Sequence, residues 1–198
     1  MARTATIERN TKETQISVQL NLDGGEVQVN TGIGFFDHML TAFGFYAGIG
    51  LKLTAKGDLY VDGHHTVEDA GIVLGQAIRE ALGDRKGIRR FGSAYVPMDE
   101  ALAFTALDFS NRPYLVFDAE MPQERIGEYD SCLTLEFMRA VAHNAGITLH
   151  QKCFYGVNAH HITEGLFKSF GLAVKDAVKI EGTGVTSTKG VLWAIPRL

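Results

Sequence analysis

The residues from Thr14 to Leu22 alternate strictly between apolar and polar side chains. The apolar members, which a β-strand would place on one face, are Ile16, Val18, Leu20 and Leu22. Such alternation is typical of a half-buried antiparallel strand. A turn at residues 23–25 and a short second strand from Val27 are predicted to follow it.

The apolar positions then change to a spacing of three and four residues, which is the period of an amphipathic helix. One predicted helix runs from Phe36 to Ala47, and another begins at His64 and is ended by Gly83. Between the two helices, the apolar residues predict strands near 51–55 and 59–61.

The motif His-His-Thr-Val-Glu at residues 64–68 returns as His-His-Ile-Thr-Glu at residues 160–164, shifted by 96 positions. The match continues downstream at the same offset, where Gly75, Ala77 and Ala81 fall on Gly171, Ala173 and Ala177. Self-similarity of this kind indicates an internal duplication. The chain therefore divides into two diverged copies, roughly residues 1–87 and 88–198.

The second copy is predicted to repeat the elements of the first. Its strands are expected near 101–107, 114–117 and 148–154, with a helix near 133–144 and a last helix through Val178. Strands and helices in this order indicate the α+β class. Each copy is expected to form a mostly antiparallel sheet of about four strands with two helices on one face. The helices of the two copies are expected to pack between the sheets.

Composition excludes several classes of protein. A hydrophobic fraction of 45% with 21% charged residues can bury a core, and the net charge of -4 argues against a nucleic-acid binder. No apolar stretch approaches the roughly 18 residues of a membrane span, and no signal peptide is recognised. Cys132 and Cys153 are too few for a disulfide scaffold. We therefore expect a cytoplasmic protein that binds neither nucleic acid nor membrane.

The duplicated motif places two adjacent histidines near the start of a helix in each copy. Adjacent helical residues point about 100° apart, so one pair is better suited to contact two different metal ions than to chelate one. Residues three apart share a face, which makes His65 with Glu68, and His161 with Glu164, natural pairs of ligands. A single pair would be read as polar residues at a helix start. The retention of the Glu in both copies favours metal binding, and imidazole with carboxylate suits Mn, Fe, Zn or Ni.

Further ligands are needed to complete the coordination of two ions. His38 is the candidate in the first copy, and its counterpart is Glu136 when Ala47-Gly48-Ile49 is aligned with Ala145-Gly146-Ile147. The pseudo-twofold symmetry then predicts one ion held by His38, His65, Glu68 and His160. The other ion would be held by Glu136, His161, Glu164 and His64. The ligands could come from one chain or from neighbouring chains.

Several motifs along the chain resemble those of the imidazoleglycerol-phosphate dehydratase family. They are Phe35-Phe36-Asp37-His38-Met39-Leu40, Asp62-Gly63-His64-His65-Thr66-Val67-Glu68-Asp69, Gly87-Ile88-Arg89-Arg90-Phe91-Gly92, Pro97-Met98-Asp99-Glu100-Ala101-Leu102, Asp108-Phe109-Ser110-Asn111-Arg112-Pro113 and Ser187-Thr188-Lys189-Gly190-Val191-Leu192. The resemblance covers the chain from Arg9 to Leu192. It implies a Mn-dependent lyase with a duplicated α+β fold, assembled as a homo-oligomeric shell of 24 subunits.

The resemblance also implies roles for individual residues. The metal ligands would be His38, His64, His65, Glu68, Glu136, His160, His161 and Glu164, although Glu136 stands where many relatives have His. Glu13 matches a substrate-contacting acid and is the candidate acid/base, with Glu68 and Glu164 as further catalytic residues. Arg90, Arg112, Ser187, Thr188 and Lys189 match the residues that bind the substrate phosphate. The substrate would also contact His38, His64, His65, Glu68, His160 and Glu164.

The implied reaction is the dehydration of D-erythro-imidazole glycerol phosphate to imidazole acetol phosphate in histidine biosynthesis. Two Mn²⁺ ions per active site would hold the substrate ring as imidazolate and stabilise the charge that builds up on it. Two other readings are a metal-dependent hydrolase and an oligomeric metal-storage protein. Neither copy supplies a recognisable nucleophile for hydrolysis, and a storage protein has no need of a phosphate-binding set.

Overall fold

The structure, a computed structural model, describes residues 2–192. Its first sheet is built from β1 (Thr4–Asn10), β2 (Thr14–Asn21), β3 (Val27–Asn30) and β4 (Gly50–Gly57), in the order β1-β2-β4-β3. β2 is antiparallel to both of its neighbours, whereas β3 runs parallel to β4. The turn at residues 23–25 therefore leads away from β2, and β4 lies between the two strands that this turn connects.

The second sheet has the same topology as the first. Its main strands are β5 (Phe91–Met98), β6 (Ala101–Asp108), β7 (Tyr114–Asp118) and β10 (Thr148–Tyr155), in the order β5-β6-β10-β7. A small hairpin, β8 (Arg125–Ile126) and β9 (Tyr129–Asp130), lies between β7 and the next helix. The internal duplication predicted from the sequence is confirmed by this shared strand order.

Two helices per copy complete the fold: α1 (Gly34–Ala47), α2 (His64–Leu82), α3 (Leu133–Ala145) and α4 (Ala159–Ala177). α1 and α2 contact strands of the first sheet, and α3 and α4 contact strands of the second. α2 packs against α3 and α1 packs against α4, so the helices lie between the sheets as expected. Across the described residues, no helix has both the length and the apolarity that a membrane crossing requires.

The alternation that predicted β2 also builds the core, because Ile16, Val18 and Leu20 are all buried. Between the helices, Phe43 of α1 stacks on Phe170 of α4 with ring centroids 4.9 Å apart. α1 and α4 approach closely where α4 carries a glycine. A Cβ atom at Gly171 would lie 2.7 Å from the carbonyl oxygen of Phe43.

The predicted strand at residues 59–61 is wrong. These residues form a turn, in which the N–H of Val61 donates to the carbonyl of Asp58 at 2.8 Å. The apolar side chains of this turn have no sheet to cover, and Tyr60 is 91% exposed. The sequence also failed to indicate β1 and β5, which are edge strands. β5 contains Gly92 and Pro97, which weaken a strand pattern but are tolerated at a sheet edge.

Candidate metal centre

The first histidine of each pair is held at the helix start by the side chain two residues before it. The N–H of His64 donates to Oδ1 of Asp62 at 2.8 Å, and the N–H of His160 donates to Oδ1 of Asn158 at 2.9 Å. Asp62 and Asn158 are 96 positions apart, so the duplication includes this helix-start hydrogen bond. The bond satisfies a backbone donor that the first turn of a helix leaves free, and it fixes the first histidine of each pair.

One cluster of donor atoms forms where α1 meets α4. Oε2 of Glu164 lies 3.2 Å from Nε2 of His160 and 3.7 Å from Nε2 of His38. The donor atoms of these three residues all lie within 4.8 Å of one another. Phe35 packs edge-on against the His160 ring, with centroids 4.9 Å apart. Among the described residues, the three side chains converge closely enough to share one cation.

A lysine one turn further along α4 holds the carboxylate of this cluster. Nζ of Lys168 donates to Oε1 of Glu164 at 2.8 Å, and the Glu164 side chain is only 8% exposed. Burial pushes the pKa of Glu164 up, but the hydrogen bond from Lys168 and the nearby His38 and His160 outweigh it. The pKa therefore lies below its ordinary value, and Glu164 is a carboxylate that can bind a metal ion. The spacing Glu-x-x-x-Lys could have indicated this contact from the sequence.

The pairing inside each motif differs from the expected one. His160, one turn before Glu164, contacts its carboxylate, whereas His161 had been expected to share its face. The first copy behaves in the same way, with Nε2 of His64 4.0 Å from Oε2 of Glu68. Residues four apart on a helix lie about one turn from each other on the same face, so the first histidine of each pair reaches the carboxylate of the glutamate. The side chain of the second histidine points in a different direction. The structure thus brings His38 to Glu164 of α4, in place of Glu68 of α2.

Glu136, the expected counterpart of His38, lies on α3, which packs against α2. Its carboxylate is paired with Arg139, one turn along the same helix. α3 packs against α2 as α1 packs against α4. Glu136 therefore lies on the helix that packs against α2, which carries His64 and Glu68. Among the described residues, Glu136 makes no hydrogen bond or ion pair with His64 or Glu68. Its role as a metal ligand stays a prediction.

The second histidine of each pair turns to a carboxylate outside the duplicated helices. Nδ1 of His65 lies 3.0 Å from Oδ2 of Asp58, and Nδ1 of His161 lies 2.6 Å from Oε2 of Glu100. These hydrogen bonds raise the pKa of both histidines, and the contact with His161 helps to lower the pKa of Glu100 to about 2. Sequence reasoning did not find Asp58, because it lies in a turn without any periodic pattern. Glu13, the candidate acid/base, has Oε2 3.9 Å from Nδ1 of His65.

The residues predicted to bind phosphate line a single cleft of about 1000 Å³. They are Arg90, Arg112, Ser187, Thr188 and Lys189. The Arg90 guanidinium donates to both carboxylate oxygens of Asp108, at 2.6 and 2.9 Å, and to the carbonyl of Thr186 at 2.7 Å. Arg90 has a φ of 79°, a left-handed backbone conformation that is uncommon outside glycine. Arg90 thus ties the segment from Thr186 to the sheet, while Arg112 is exposed to the cleft.

The cleft and the metal cluster lie at opposite ends of α4. The N–H of Arg90 donates to the carbonyl of Ala177, the last residue of α4, whereas Glu164 lies near the start of that helix. Ala177 lies thirteen positions after Glu164, which corresponds to about 20 Å along the helix axis. Within one chain, the two predicted halves of the site are therefore well separated.

Comparisons with known proteins point to one family. The imidazoleglycerol-phosphate dehydratase family matches residues 31–174. The chain is 57% identical to an imidazoleglycerol-phosphate dehydratase from Ruminiclostridium cellulolyticum, covering 96% of this chain and 100% of that protein. It is 56% identical to one from Acetivibrio thermocellus, covering 97% of this chain and 100% of that protein.

Two solved structures have the same fold. The imidazoleglycerol-phosphate dehydratase of Staphylococcus aureus superimposes with a TM-score of 0.81 at 39% identity, covering 89% of this chain and 99% of its own. The Pyrococcus furiosus enzyme, solved in complex with (S)-C348, gives a TM-score of 0.83 at 42% identity, covering 94% and 100%. This chain, with its duplicated sheets and paired histidine motifs, therefore belongs to the imidazoleglycerol-phosphate dehydratase family, the hydro-lyases of histidine biosynthesis.

Proposed function

We propose that this chain dehydrates D-erythro-imidazole glycerol phosphate to imidazole acetol phosphate with two Mn²⁺ ions per active site. The observation that carries the metal dependence is the convergence of His38, His160 and Glu164 within 4.8 Å. Membership of the family supports the reaction itself.

The donor chemistry of the cluster fits the proposed ion. Two imidazole nitrogens and one carboxylate oxygen, without a thiolate, suit Mn²⁺ and its neighbours in the transition series. His64, Glu68 and Glu136 would hold the second ion by the pseudo-twofold relation, and His65 and His161 would complete the two sets. Once bound, the cations supply positive charge that stabilises the negative charge developing on the imidazole ring of the substrate.

The protein residues then have separate tasks. Glu13 is exposed beside His65, where its carboxylate can carry a proton to or from the substrate carbon next to the ring. Loss of that proton and of the neighbouring hydroxyl, which leaves as water, gives an enol that tautomerises to the ketone. Arg112, Ser187, Thr188 and Lys189 would bind the phosphate, with Arg90 holding their segment in place. Glu68 and Glu164 act through the cations that they bind.

The separation of the two halves supports a homo-oligomer. A three-carbon phosphate ester with an imidazole ring cannot span about 20 Å of helix α4, so one chain does not offer both ends of the substrate a site. A neighbouring copy would have to bring its cleft to this metal cluster. Leu59, Tyr60 and Val61 present exposed apolar side chains just before the first histidine pair, which is typical of a surface that another chain covers. A shell of 24 subunits is the assembly proposed from the family resemblance.

The alternative functions are less well supported. A metal-storage protein would not need the cleft lined by Arg112 and Lys189. A metal-dependent hydrolase would use water bound to the cation as its nucleophile, and what favours the lyase over it is membership of the dehydratase family. The cytoplasmic location expected from the sequence stays a prediction.

Turnover tests the proposal. Imidazole glycerol phosphate is added to Mn²⁺-loaded protein, to a chelated sample and to a chelated sample resupplied with Mn²⁺. We expect ketone formation in the first and third samples alone. Equal turnover in the chelated sample would refute the metal dependence, and no ketone in any sample of folded protein would refute the proposed reaction.

A further inference from the structure

The second histidine of each pair shares a contact that the proposed reaction does not explain. His65 and His161 both direct Nδ1 to a carboxylate from another part of the chain, at 3.0 and 2.6 Å. Asp58 comes from the turn after β4, and Glu100 comes from the connection between β5 and β6. The side chains of Asp58 and Glu100 are 11% and 34% exposed, so both are at least partly shielded from water.

The carboxylate of Glu100 is itself held in one orientation. Its Oε1 accepts the backbone N–H groups of Val157 and Asn158, at 3.1 and 2.9 Å. Asn158 is the residue that caps α4 through the N–H of His160. Only Oε2 is left for His161, and the anchored carboxylate cannot turn away from the ring.

An ionised carboxylate has no proton to donate, so the hydrogen atom of each contact belongs to Nδ1 of the histidine. A neutral imidazole with hydrogen on Nδ1 has its lone pair on Nε2. That tautomer offers Nε2 to a metal ion, and partner carboxylates of this kind commonly orient metal-binding histidines.

Asp58 and Glu100 come from different places in the repeated unit. Glu100 immediately precedes β6, as Glu13 immediately precedes β2, so Glu100 and Glu13 are counterparts. In the first copy, Oε2 of Glu13 lies 3.9 Å from Nδ1 of His65, beyond hydrogen-bond distance, and Asp58 supplies the hydrogen bond instead. The second histidine of each pair therefore has a carboxylate at Nδ1, although the residue that supplies it differs between the copies.

We propose that Glu100 and Asp58 are positioning residues that hold His161 and His65 in the Nδ1–H tautomer, so that each Nε2 is free to bind a divalent cation. This inference rests on the metal-dependent function proposed above. It assigns the two carboxylates a task in metal binding without placing either of them on the ion.

Glu100→Gln is the most direct test, because the two backbone N–H groups that donate to Oε1 determine how the substituted side chain is oriented. The amide oxygen can keep accepting the N–H groups of Val157 and Asn158, which leaves the amide NH₂ facing His161. That group donates to Nδ1, and the ring proton must move to Nε2, where it blocks the metal. We expect the Mn²⁺ affinity of the site, measured by titration of the metal alone, to fall about 10- to 100-fold.

The matched control is Glu80→Gln, the same chemical change on an exposed residue in the last turn of α2, at the far end from the histidine pair. It should bind Mn²⁺ like the wild type. Equal affinity in Glu100→Gln and Glu80→Gln would overturn the inference.

Nitrogen NMR of the histidine rings supplies a readout that a merely structural role would not change. In metal-free protein at alkaline pH, His161 should carry its proton on Nδ1 in the wild type and on Nε2 in Glu100→Gln. The same tautomer in both proteins would also overturn the inference. If the wild type binds no Mn²⁺, the proposed function fails, and the ring spectra still decide whether Glu100 sets the tautomer.

Discussion

Lys168 donates a hydrogen bond of 2.8 Å to Glu164, and the first copy has no equivalent of this pair. The position 96 residues before Lys168 is Ile72, so Glu68 has no lysine one turn after it. The two halves of the duplicated site therefore differ in charge although their histidine pairs match. The second-copy cluster combines a buried carboxylate with its own cation, and this difference leads to the first prediction.

Lys168→Met should destabilise the metal-free protein, because Oε1 of Glu164 would stay buried and lose its hydrogen-bond donor. A buried acceptor left without a partner costs about 1–3 kcal/mol of unfolding free energy. Mn²⁺ should recover part of this loss by supplying a positive charge, so the rise in Tm on adding Mn²⁺ should be larger in the variant. Denaturation with and without Mn²⁺ measures both effects. An equal Mn²⁺-induced rise in both proteins would show that the cation does not sit beside Glu164.

Gly171→Ala should force α1 and α4 apart. The added Cβ would lie 2.7 Å from the carbonyl of Phe43 and 3.0 Å from the N of Ala47, both of which are backbone atoms that cannot turn aside. Overpacking of this kind costs about 1–3 kcal/mol. Because His38 lies on α1, the variant should also bind Mn²⁺ more weakly. Gly34→Ala is the control, since nothing lies within 4 Å of its Cβ position, and it should keep wild-type stability in chemical denaturation.

Arg112→Ala should weaken substrate binding without affecting the fold. Arg112 is exposed in the cleft, and loss of a charge-assisted hydrogen bond to phosphate is expected to raise KM at least about tenfold. Arg90→Ala should lower Tm as well, because Arg90 pairs with Asp108 and holds the carbonyl of Thr186. Steady-state kinetics and thermal denaturation of both variants separate the two roles. An unchanged KM for Arg112→Ala would remove it from the phosphate site.

Cys153 should react with alkylating agents more slowly at a given pH than a thiol of ordinary pKa. Burial raises the pKa of its thiol above the ordinary value of 9.0, and the thiolate is the reactive form. In Cys132→Ser, where Cys153 is the remaining thiol, the midpoint of the alkylation rate against pH should lie above 9.0. Stopped-flow measurement of the rate against pH gives the midpoint. A midpoint at or below 9.0 would contradict the shielding of Cys153 in the fold.

Much of the fold follows from patterns that are local in sequence. The alternation from Thr14 and the helical spacing after His64 each report a buried face, and the repeat then predicts the second sheet from the first. β1 and β5 were not predicted from the sequence, because an edge strand pairs with only one neighbour and tolerates polar residues, glycine and proline. The apolar residues at 59–61 were wrongly predicted to form a strand. A local pattern of apolar residues does not show whether another part of the protein covers them.

The site was predictable in composition but not in pairing. The motif supplied the residues, but its spacing predicted His161 as the partner of Glu164, whereas the structure places His160 there. That choice depends on the direction of α1 and on where His38 arrives from a distant part of the chain. Asp58 and Glu100 are further examples, because their contacts arise from loops whose positions only the folded chain defines.

The central claim is that Glu164, with His38 and His160, binds one of two Mn²⁺ ions. The direct measurement is the number of Mn²⁺ ions bound per chain, counted by equilibrium titration of wild type and Glu164→Gln, with Glu80→Gln as the matched control. We predict two ions per chain in the wild type and in the control, and about half as many in Glu164→Gln. Full occupancy of both ions in Glu164→Gln, with wild-type affinity, would contradict the assignment of this cluster as a metal site.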